Sequence, residues 1–361
     1  MRRINYIYQQ ESWPDLHYDH SRIAALLGKV NFLQGQLHGR MEGYSPELRK
    51  QAIINALSIE TLSSSAIEDT LFDYAEVESA IARSLKIRLP DMVASGGMVK
   101  GAAEATVAGA GHYDKKLTAE ILCHWHAGLF PGVSTFGGHG WRDTYLEIKD
   151  KSGTKTRFTA PAPAALPTEM KKWLTWMNHD RPENKLVKSA IAQFWLLTLH
   201  PFADGNGPIS RIVSIMLLAD SENGLPRYYA PSAQVLKERE AYFQILEDCQ
   251  KGSLDITAWV HWYLGIIEKS ILEIKSTQTA VMSRQKLEDK MAALGLTMRQ
   301  KQILRKMAAR EKLPFTSNEW AEAGGYSSDT ALREIRVLLN QRILQKMPNG
   351  GRSTRYRIAA L

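Results

Sequence analysis

The stretch LTLHPFADGNGPISRIV, residues 197–213, places a glycine-rich loop between two apolar helices. The first apolar run stops at His200 and Pro201, and a new helix is predicted to open at Pro208, because proline is favoured in the first turn of a helix. The backbone N–H groups of a Gly-Asn-Gly loop, together with the dipole of the following helix, favour a negatively charged ligand. The stretch therefore predicts an anion site inside a mainly helical protein.

Three side chains around this loop suit phosphate chemistry. Asp204 offers carboxylate oxygens, the ligand type that Mg²⁺ prefers. Arg211 lies one turn into the predicted helix, where a forked guanidinium can hold phosphate. His200, at the other rim of the loop, titrates near neutral pH and suits a general base. Two structural alternatives stay open, since His200 could be a cation at a helix C-terminus and Asp204 could cap the following turn.

The whole motif, His-Pro-Phe-x-Asp-Gly-Asn-Gly-x-x-x-Arg, closely resembles the signature of the Fic family, His-x-Phe-x-(Asp/Glu)-Gly-Asn-Gly-Arg-x-x-Arg. Every fixed position matches except one, because Pro208 stands where the family has its first Arg. Residues 117–132, 147–159 and 239–259 resemble the family's helix before the flap, its flap, and the helix after the active site. The resemblance implies a mainly α fold, with a Fic-type helical core and a small β-hairpin flap.

The resemblance also implies an activity and a set of site residues. Fic proteins typically transfer AMP from ATP to a hydroxyl of a target protein, which would bind along the flap near 147–159. By resemblance, His200 deprotonates that hydroxyl and Asp204 holds Mg²⁺ between the α- and β-phosphates. Arg211 would hold the distal phosphates, with Asn206 as a further catalytic residue. The implied nucleotide contacts are Gly205, Asn206 and Gly207 in the anion hole, Arg211 at the phosphates, and Tyr242 and Gln250 at the adenine.

The segment SSSAIED, residues 63–69, resembles the family's inhibitory motif, (Ser/Thr)-x-x-x-Glu-(Gly/Asn). Ser64 and Glu68 match this motif, and Asp69 replaces the Gly or Asn. The resemblance implies an inhibitory helix before the Fic core, with Glu68 pairing with Arg211 in a self-inhibited state. Asp adopts a left-handed helix end less readily than Gly or Asn, so a solvated helical carboxylate is the alternative for Glu68.

Pro208 changes what the site can be expected to do. Proline fits the first turn of a helix, but here it removes a guanidinium and a backbone N–H that would face phosphate. Losing one such contact costs on the order of 2–4 kcal/mol of transition-state stabilisation, or roughly 30- to 1,000-fold in rate. Two other functions therefore stay open: a DNA-binding regulator with a degenerate Fic core, and a deAMPylase in which Glu68 positions water.

Composition indicates a globular protein of more than one domain. The 361 residues exceed the length at which single cores stop growing, and 44% of them are hydrophobic, which excludes wholesale disorder. Two cysteines, Cys123 and Cys249, exclude a disulfide scaffold and a multi-cysteine zinc site. The sequence shows no signal-peptide stretch and no apolar run long enough to span a bilayer. We expect a cytoplasmic protein without a membrane partner, and a homodimer stays open.

Hydrophobic spacing and charge predict three parts. They are an N-terminal helical region over 1–90, which by resemblance includes the inhibitory helix, a core over 91–280, which by resemblance is the Fic catalytic core, and a winged helix-turn-helix over 285–361. Residues 94–111 are rich in Gly and Ala, which predicts loose order or a weak helix. Before the C-terminal part, strands are predicted only around 145–159.

The excess positive charge lies in the last 81 residues. Residues 281–361 hold 16 Lys and Arg against 7 Asp and Glu, while the rest of the chain holds 30 against 31. Within 298–361 the second helix of the predicted helix-turn-helix carries Arg333 and Arg336 on its outward face. The pattern predicts a winged helix that binds DNA, with a protein-docking winged helix as the alternative. The hairpin wing adds Arg352, Arg355 and Arg357.

Overall fold

A computed structural model describes residues 6–89, 92–131, 140–149, 153–179, 184–308, 314–347 and 354–359. Over these ranges the chain is mainly helical, as the sequence predicts, and none of the helices there is both long and apolar enough to cross a bilayer. The helices are α1 (His20–Glu42), α2 (Pro46–Ile67), α3 (Tyr74–Ser84), α4 (Gly97–Gly111), α5 (Ala119–Leu129), α6 (Leu166–Met177), α7 (Lys185–Leu199), α8 (Asn206–Ser221), α9 (Pro231–Lys237), α10 (Arg239–Gln250), α11 (Thr257–Ala293), α12 (Met298–Ala308), α13 (Ser317–Gly324) and α14 (Ser328–Asn340). The strands are β1 (Glu147–Lys149), β2 (Thr156–Thr159), β3 (Phe315–Thr316), β4 (Leu344–Lys346) and β5 (Arg355–Ile358).

The chain divides into two compact units, Met1–Ile274 and Lys275–Leu361, which we call the N-terminal unit and the C-terminal unit. The boundary between them falls inside α11. Each unit has a hydrophobic cluster of its own, the larger one in the N-terminal unit and the smaller one in the C-terminal unit. Helices from the predicted N-terminal region, 1–90, and from the predicted core contribute to the same larger cluster.

The helix pair α7 and α8 forms the centre of the N-terminal unit. Every residue from Ser189 to Leu199 is buried, and so is every residue from Ile209 to Ala219. Helices that are apolar on all sides must be surrounded by other elements. Trp173 of α6 and Trp259 of α11 pack around the pair, and their indole N–H groups donate to backbone carbonyls of α7. This buried pair fixes both ends of the loop that joins the two helices.

α4 is a regular helix, so of the two alternatives predicted for residues 94–111, loose order or a weak helix, the structure has the helix. Its glycines allow neighbouring helices to approach closely. A Cβ on Gly101 would stand 1.7 Å from the carbonyl oxygen of Gly128 in α5, and a Cβ on Gly109 would stand 2.7 Å from Ile212 in α8. The small residues therefore allow close packing between helices, an effect that local helix propensity does not include.

The predicted hairpin is present, and we call it the flap. β1 runs antiparallel to β2 and pairs Ile148 with Phe158. Tyr6 and Tyr8, from the start of the chain, pack edge-on against Phe158 at ring-centroid distances of 5.0 and 6.0 Å. The predicted turn residues 150–152 lie outside the described ranges.

The C-terminal unit contains the elements predicted for a winged helix-turn-helix. Three of its helices, α12 to α14, accompany an antiparallel sheet with the strand order β3-β5-β4. Thr316 and Ser327 cap α13 and α14, and Gly325 makes the turn between them with a φ of 62°. The hairpin tip, residues 348–352, lies outside the described ranges and includes Arg352.

Candidate active site

The loop between α7 and α8 depends on two left-handed residues. α7 ends at His200, with φ and ψ of 50° and 59°, and α8 follows Gly205, whose φ is 77°. Position 205 requires glycine, because a Cβ there would stand 2.4 Å from the ring of Phe130. α8 begins at Asn206, two residues before the predicted start, so Pro208 is its third residue and lies within its first turn.

Buried side chains bonded to the backbone hold the shape of this loop. The side chain of Asn206 accepts a hydrogen bond from the Phe202 N–H at 2.9 Å and donates one to the Phe202 carbonyl at 2.7 Å. Nε2 of His126 donates to the Asp204 carbonyl at 2.8 Å, and the His126 ring stacks on Phe202. The side chain of Asn206 is thus committed to the loop, which leaves its backbone N–H, at the helix start, for a ligand.

Arg142 joins the loop to the chain that follows the flap, and no spacing in the sequence indicates this role. Its side chain is 1% exposed. Nε donates to the His200 carbonyl at 2.8 Å, and Nη2 donates to the Pro161 carbonyl at 2.6 Å. Its backbone N–H donates to the Pro201 carbonyl at 2.8 Å. A rigid guanidinium that bonds carbonyls from two segments fixes those segments relative to each other.

His200 is oriented and kept neutral. Its Nδ1 lies 3.0 Å from the carbonyl oxygen of Leu197. Because a carbonyl only accepts, Nδ1 carries the proton and Nε2 holds the free electron pair. Burial lowers the pKa of His200, and the charge of Arg142 adds to this effect, while the Leu197 bond and the carboxylates of Glu68 and Asp204 oppose it. A neutral imidazole that lines the cavity is the form a general base needs.

Arg211 extends from α8 to α2 and is 3% exposed. Its Nε donates to the Ser64 hydroxyl and its Nη2 to the Ser64 carbonyl, both at 2.8 Å. Nη2 also donates to Oε1 of Glu68 at 3.0 Å. The structure therefore brings Ser64, Glu68 and Arg211 together. The buried Nη1 donor of Arg211 has no acceptor among the described residues.

Glu68 narrows the cavity in front of the loop. This cavity has a volume of about 210 Å³ and is enclosed on the flap side by Ile148 and Phe158. Small-molecule sites usually measure roughly 300–1,000 Å³. A Cβ on Gly207 would stand 2.1 Å from Oε1 of Glu68 and 3.1 Å from Nη1 of Arg211. The carboxylate thus occupies the space above the helix N-terminus, where the sequence predicts an anion.

The other predicted residues line the same cavity. Tyr242 and Gln250 come from α10, and Asp204 comes from the loop. Burial raises the pKa of Tyr242 to about 12, although the guanidinium of Arg211 opposes this shift. Asp204 is exposed, and its Oδ1 accepts from the Gly205 N–H at 2.7 Å. In the described part of the chain, no three His, Cys, Asp or Glu side chains are grouped to hold a metal ion.

Comparison with known proteins matches residues 116–218 to the Fic/DOC family and residues 6–87 to a domain of unknown function, DUF4172. The structure is similar to that of a Fic family protein from Desulfovibrio desulfuricans, with a TM-score of 0.56 and 20% identity over 97% of this chain and 99% of that one. It is also similar to a Fic domain-containing signalling protein from Bacteroides thetaiotaomicron, with a TM-score of 0.50 and 15% identity over 70% and 94% of the two chains. The chain carries a Fic/DOC-family domain.

Relatives with described activities match parts of the chain. One is a probable protein adenylyltransferase of Aquifex aeolicus, 26% identical over 141 residues, or 39% of each chain. Another is the protein adenylyltransferase Fic of Drosophila melanogaster, 30% identical over 113 residues, or 31% of this chain and 21% of the relative. The match therefore spans well under half of the length of these relatives.

The Fic/DOC match and the DUF4172 match together contain all of the predicted site residues except two. The Fic/DOC range contains the whole loop and Arg211, while Ser64 and Glu68 lie in the DUF4172 range. Tyr242 and Gln250 follow the Fic/DOC range along the chain. The hydrogen bonds of Arg211 thus join the Fic/DOC domain to the N-terminal domain.

Proposed function

We propose that this chain is a self-inhibited protein adenylyltransferase that transfers AMP from ATP to a hydroxyl side chain of a target protein. One observation carries the proposal. A buried guanidinium, Arg211, keeps an unpartnered donor beside Gly207 at a helix N-terminus, and a carboxylate from another helix, Glu68, covers it. Such a place favours phosphate. The adenylyltransferase names of the relatives support the choice of reaction.

His200 would act as the general base. The target oxygen attacks the α-phosphorus of ATP, the bond from that phosphorus to the β-phosphate oxygen breaks, and pyrophosphate leaves. The proton of the hydroxyl passes to Nε2 of His200, whose Nδ1 stays bonded to the Leu197 carbonyl. Backbone N–H groups at the start of α8 and the Arg211 guanidinium would stabilise the phosphate charges, since positioning and charge neutralisation dominate such transfers.

Asp204 fits a magnesium ion that arrives with the nucleotide. A single exposed carboxylate cannot enclose a metal by itself, but Mg²⁺ is commonly held by one or two carboxylates together with substrate phosphates. When bound there, Mg²⁺ would neutralise charge on the α- and β-phosphates. The requirement for Mg²⁺ is thus part of the proposal, and ATP is its substrate.

The target protein would bind at the flap, near 147–159. Ile148, Arg157 and Phe158 of the flap line the cavity, so a target segment beside them would lie next to His200. A short two-stranded sheet offers open edges to an extended segment. The flap therefore suits delivery of a Ser, Thr or Tyr hydroxyl to the α-phosphate.

Incubation with labelled ATP and Mg²⁺ tests this function. We expect Glu68→Gly to label itself or a lysate protein much faster than the unmodified chain does, because the anion site is then open. The double variant Glu68→Gly/His200→Ala is the matched control and should transfer no AMP. Absence of label and of ATP binding in Glu68→Gly would contradict the proposal.

A second candidate is the removal of AMP from a modified protein. Glu68 and His200 line the same cavity. In this reaction a water molecule oriented by Glu68 would attack the phosphorus and pass its proton to the Glu68 carboxylate. The bond from phosphorus to the target oxygen would break, and that oxygen would take a proton from a His200 that is protonated at Nε2. Hydrolysis of an AMP-modified protein by the unmodified chain, lost in Glu68→Ala, together with no AMP transfer in any variant, would favour this candidate over the first.

For the C-terminal unit we propose DNA binding. Arg333 and Arg336 are exposed on α14, and Arg355 and Arg357 are exposed on β5. Among the described residues, none of these four side chains forms an ion pair. A helix after a sharp turn, with an arginine-bearing hairpin beside it, suits groove and phosphate contacts.

Fluorescence anisotropy of a labelled duplex tests this binding. We expect Arg333→Gln/Arg336→Gln to weaken it and rising salt to weaken it further, because phosphate contacts release counterions. DNA binding that does not depend on salt concentration, or no DNA binding at low salt, would leave protein docking as the role of this unit.

A further inference from the structure

The end of α2 has an aspartate where helices usually have glycine. The Asp69 N–H donates to the Ala66 carbonyl and the Thr70 N–H donates to the Ser65 carbonyl, both at 3.1 Å. These two bonds form a Schellman motif, in which the residue after the C-cap is left-handed. Asp69 takes that position with a φ of 58°. Asp tolerates this conformation better than most residues, but at an energetic cost that glycine avoids.

Arg239, the first residue of α10, bonds to this helix end. Its Nε donates to the Ile67 carbonyl and its Nη2 donates to Oδ2 of Asp69, both at 2.7 Å. Asp69 is 73% exposed, so the ion pair alone is weak. The Ile67 carbonyl, however, is one of the last four of the helix, which lack partners within it. The guanidinium also lies over the ring of Phe243, so three contacts hold it in place.

α10 therefore touches both the inhibitory segment and the cavity. Its first residue bonds to the end of α2, and Tyr242, Phe243 and Gln250 line the cavity. Further back, α2 is fixed by the buried Glu60, whose carboxylate accepts from the N–H and the hydroxyl of Ser232. The last turn of α2 leads into Glu68, which lies between the two residues that Arg239 holds, Ile67 and Asp69.

We propose that Arg239 is a positioning residue for Glu68, a role that rests on the proposed function of the Arg211 site. By bonding to Ile67 and Asp69 it keeps the last turn of α2 helical, and the helical turn holds Glu68 on Arg211. Without these bonds the helix end frays, as weakly held helix ends do, and Glu68 leaves Arg211 more often. The anion site is then open for a larger fraction of the time.

The test combines Arg239→Gln with Glu68→Gly in a double-mutant cycle. Arg239→Gln alone should raise the rate of AMP transfer and the affinity for ATP–Mg²⁺ about tenfold, the size of one charge-assisted hydrogen bond. In the Glu68→Gly background the same change should have no effect, because there is no carboxylate left to position. Arg239→Lys should give an intermediate result, since an ammonium can keep one of the two bonds.

Lys237→Gln is the matched control. It removes a neighbouring cation whose partner is Glu273, and it leaves α2 untouched. Two results would overturn the proposal: an equal effect of Arg239→Gln in both backgrounds, which assigns Arg239 to nucleotide binding, or no effect of Arg239→Gln while Glu68→Gly is active.

Hydrogen exchange of the Asp69 and Thr70 amides provides a readout that does not depend on activity. Arg239→Gln should speed their exchange about tenfold, and Lys237→Gln should not. If Arg239→Gln leaves the exchange rates of these amides unchanged, the proposal that Arg239 holds the end of α2 is overturned. If Glu68→Gly proves inactive, the proposed function fails, and the exchange rates still decide whether Arg239 holds the helix end.

Discussion

Pro208 is the residue at which this chain departs from the Fic signature, and its effect can be measured. It lies in the first turn of α8 and lines the cavity. In the Glu68→Gly background, Pro208→Arg is expected to raise the rate of AMP transfer about 30-fold or more, because one phosphate contact contributes on the order of 2 kcal/mol or more in the transition state. Initial rates with labelled ATP measure the change.

Pro208→Ala separates the two losses that proline causes, since alanine restores the backbone N–H without a charge. A rise with Arg alone assigns the deficit to the missing guanidinium. Equal rises with Ala and Arg assign it to the missing N–H. If neither variant is faster than Glu68→Gly, Pro208 does not limit the site and the prediction fails.

The pH dependence of transfer tests the assignment of His200 as the base. The ordinary pKa of histidine is about 6.5, and burial moves the pKa of His200 below it. The neutral form is therefore retained in more acid solution than for a free histidine. The half-maximal rate of Glu68→Gly at saturating ATP should fall below about pH 6.5. A half-maximal rate above about pH 7 would exclude His200 as the group that titrates.

The sequence located the residues that share one short segment and missed those that reach it from elsewhere. His200, Asp204 and Arg211 lie within one motif, so their spacing indicates a site. Arg142 and His126 support the same loop through backbone carbonyls 58 and 78 residues away, and such contacts leave no pattern in the chain. A single sequence cannot distinguish a buried histidine or arginine of this kind from any other.

At the scale of elements, glycines with opposite surroundings give opposite predictions. Gly101→Ala in α4 should destabilise the protein by roughly 1–3 kcal/mol, because its Cβ would stand 1.7 Å from the Gly128 carbonyl oxygen and α4 and α5 would have to separate. Gly35→Ala, in the middle of α1, should stabilise by about 0.5–1 kcal/mol, since nothing lies within 4 Å of its Cβ and alanine favours a helix.

Urea denaturation of the two glycine variants and the unmodified chain gives both free energies of unfolding. Equal small changes in the two variants would contradict the close approach of α4 and α5. The comparison also explains why the sequence left both loose order and a weak helix open for residues 94–111. By local helix propensity, a glycine inside a helix is destabilising. The close approach of two helices that the glycine allows depends on the neighbouring helix, which the local sequence does not show.

Short elements and exact helix ends are the other features that the sequence did not predict accurately. α9, Pro231–Lys237, was not predicted, because seven residues are too few to show a helical period. α8 starts two residues earlier than predicted, since the left-handed Gly205, rather than Pro208, marks its beginning. The end of α7 was predicted to within a residue, because thirteen of its fifteen positions are buried and the apolar run stops at His200.

At the scale of the whole molecule, charge indicated a separate C-terminal part, which the structure divides from the rest at residues 274 and 275. Residues 276–296, a polar and helix-prone stretch that the sequence predicts as a connector, are helical as far as Ala293, where α11 ends. Polar residues with good helix propensity can extend a helix beyond the apolar face that stabilises its first turns. Charge indicated that the C-terminal part is separate, but not that one helix, α11, runs through the boundary at residues 274 and 275.

The two hydrophobic clusters predict two thermal transitions, each sensitive to a different ligand. In Glu68→Gly, ATP–Mg²⁺ at a hundred times its Kd should add about 2.7 kcal/mol to the unit that binds it, or roughly 5–10 °C in that transition. Duplex DNA should raise the other transition alone, because the exposed arginines of α14 and β5 belong to the C-terminal unit. Scanning calorimetry with each ligand measures both. A single transition whose calorimetric and van't Hoff enthalpies agree would mean that the two clusters unfold as one cooperative unit, and each ligand would then stabilise the whole chain.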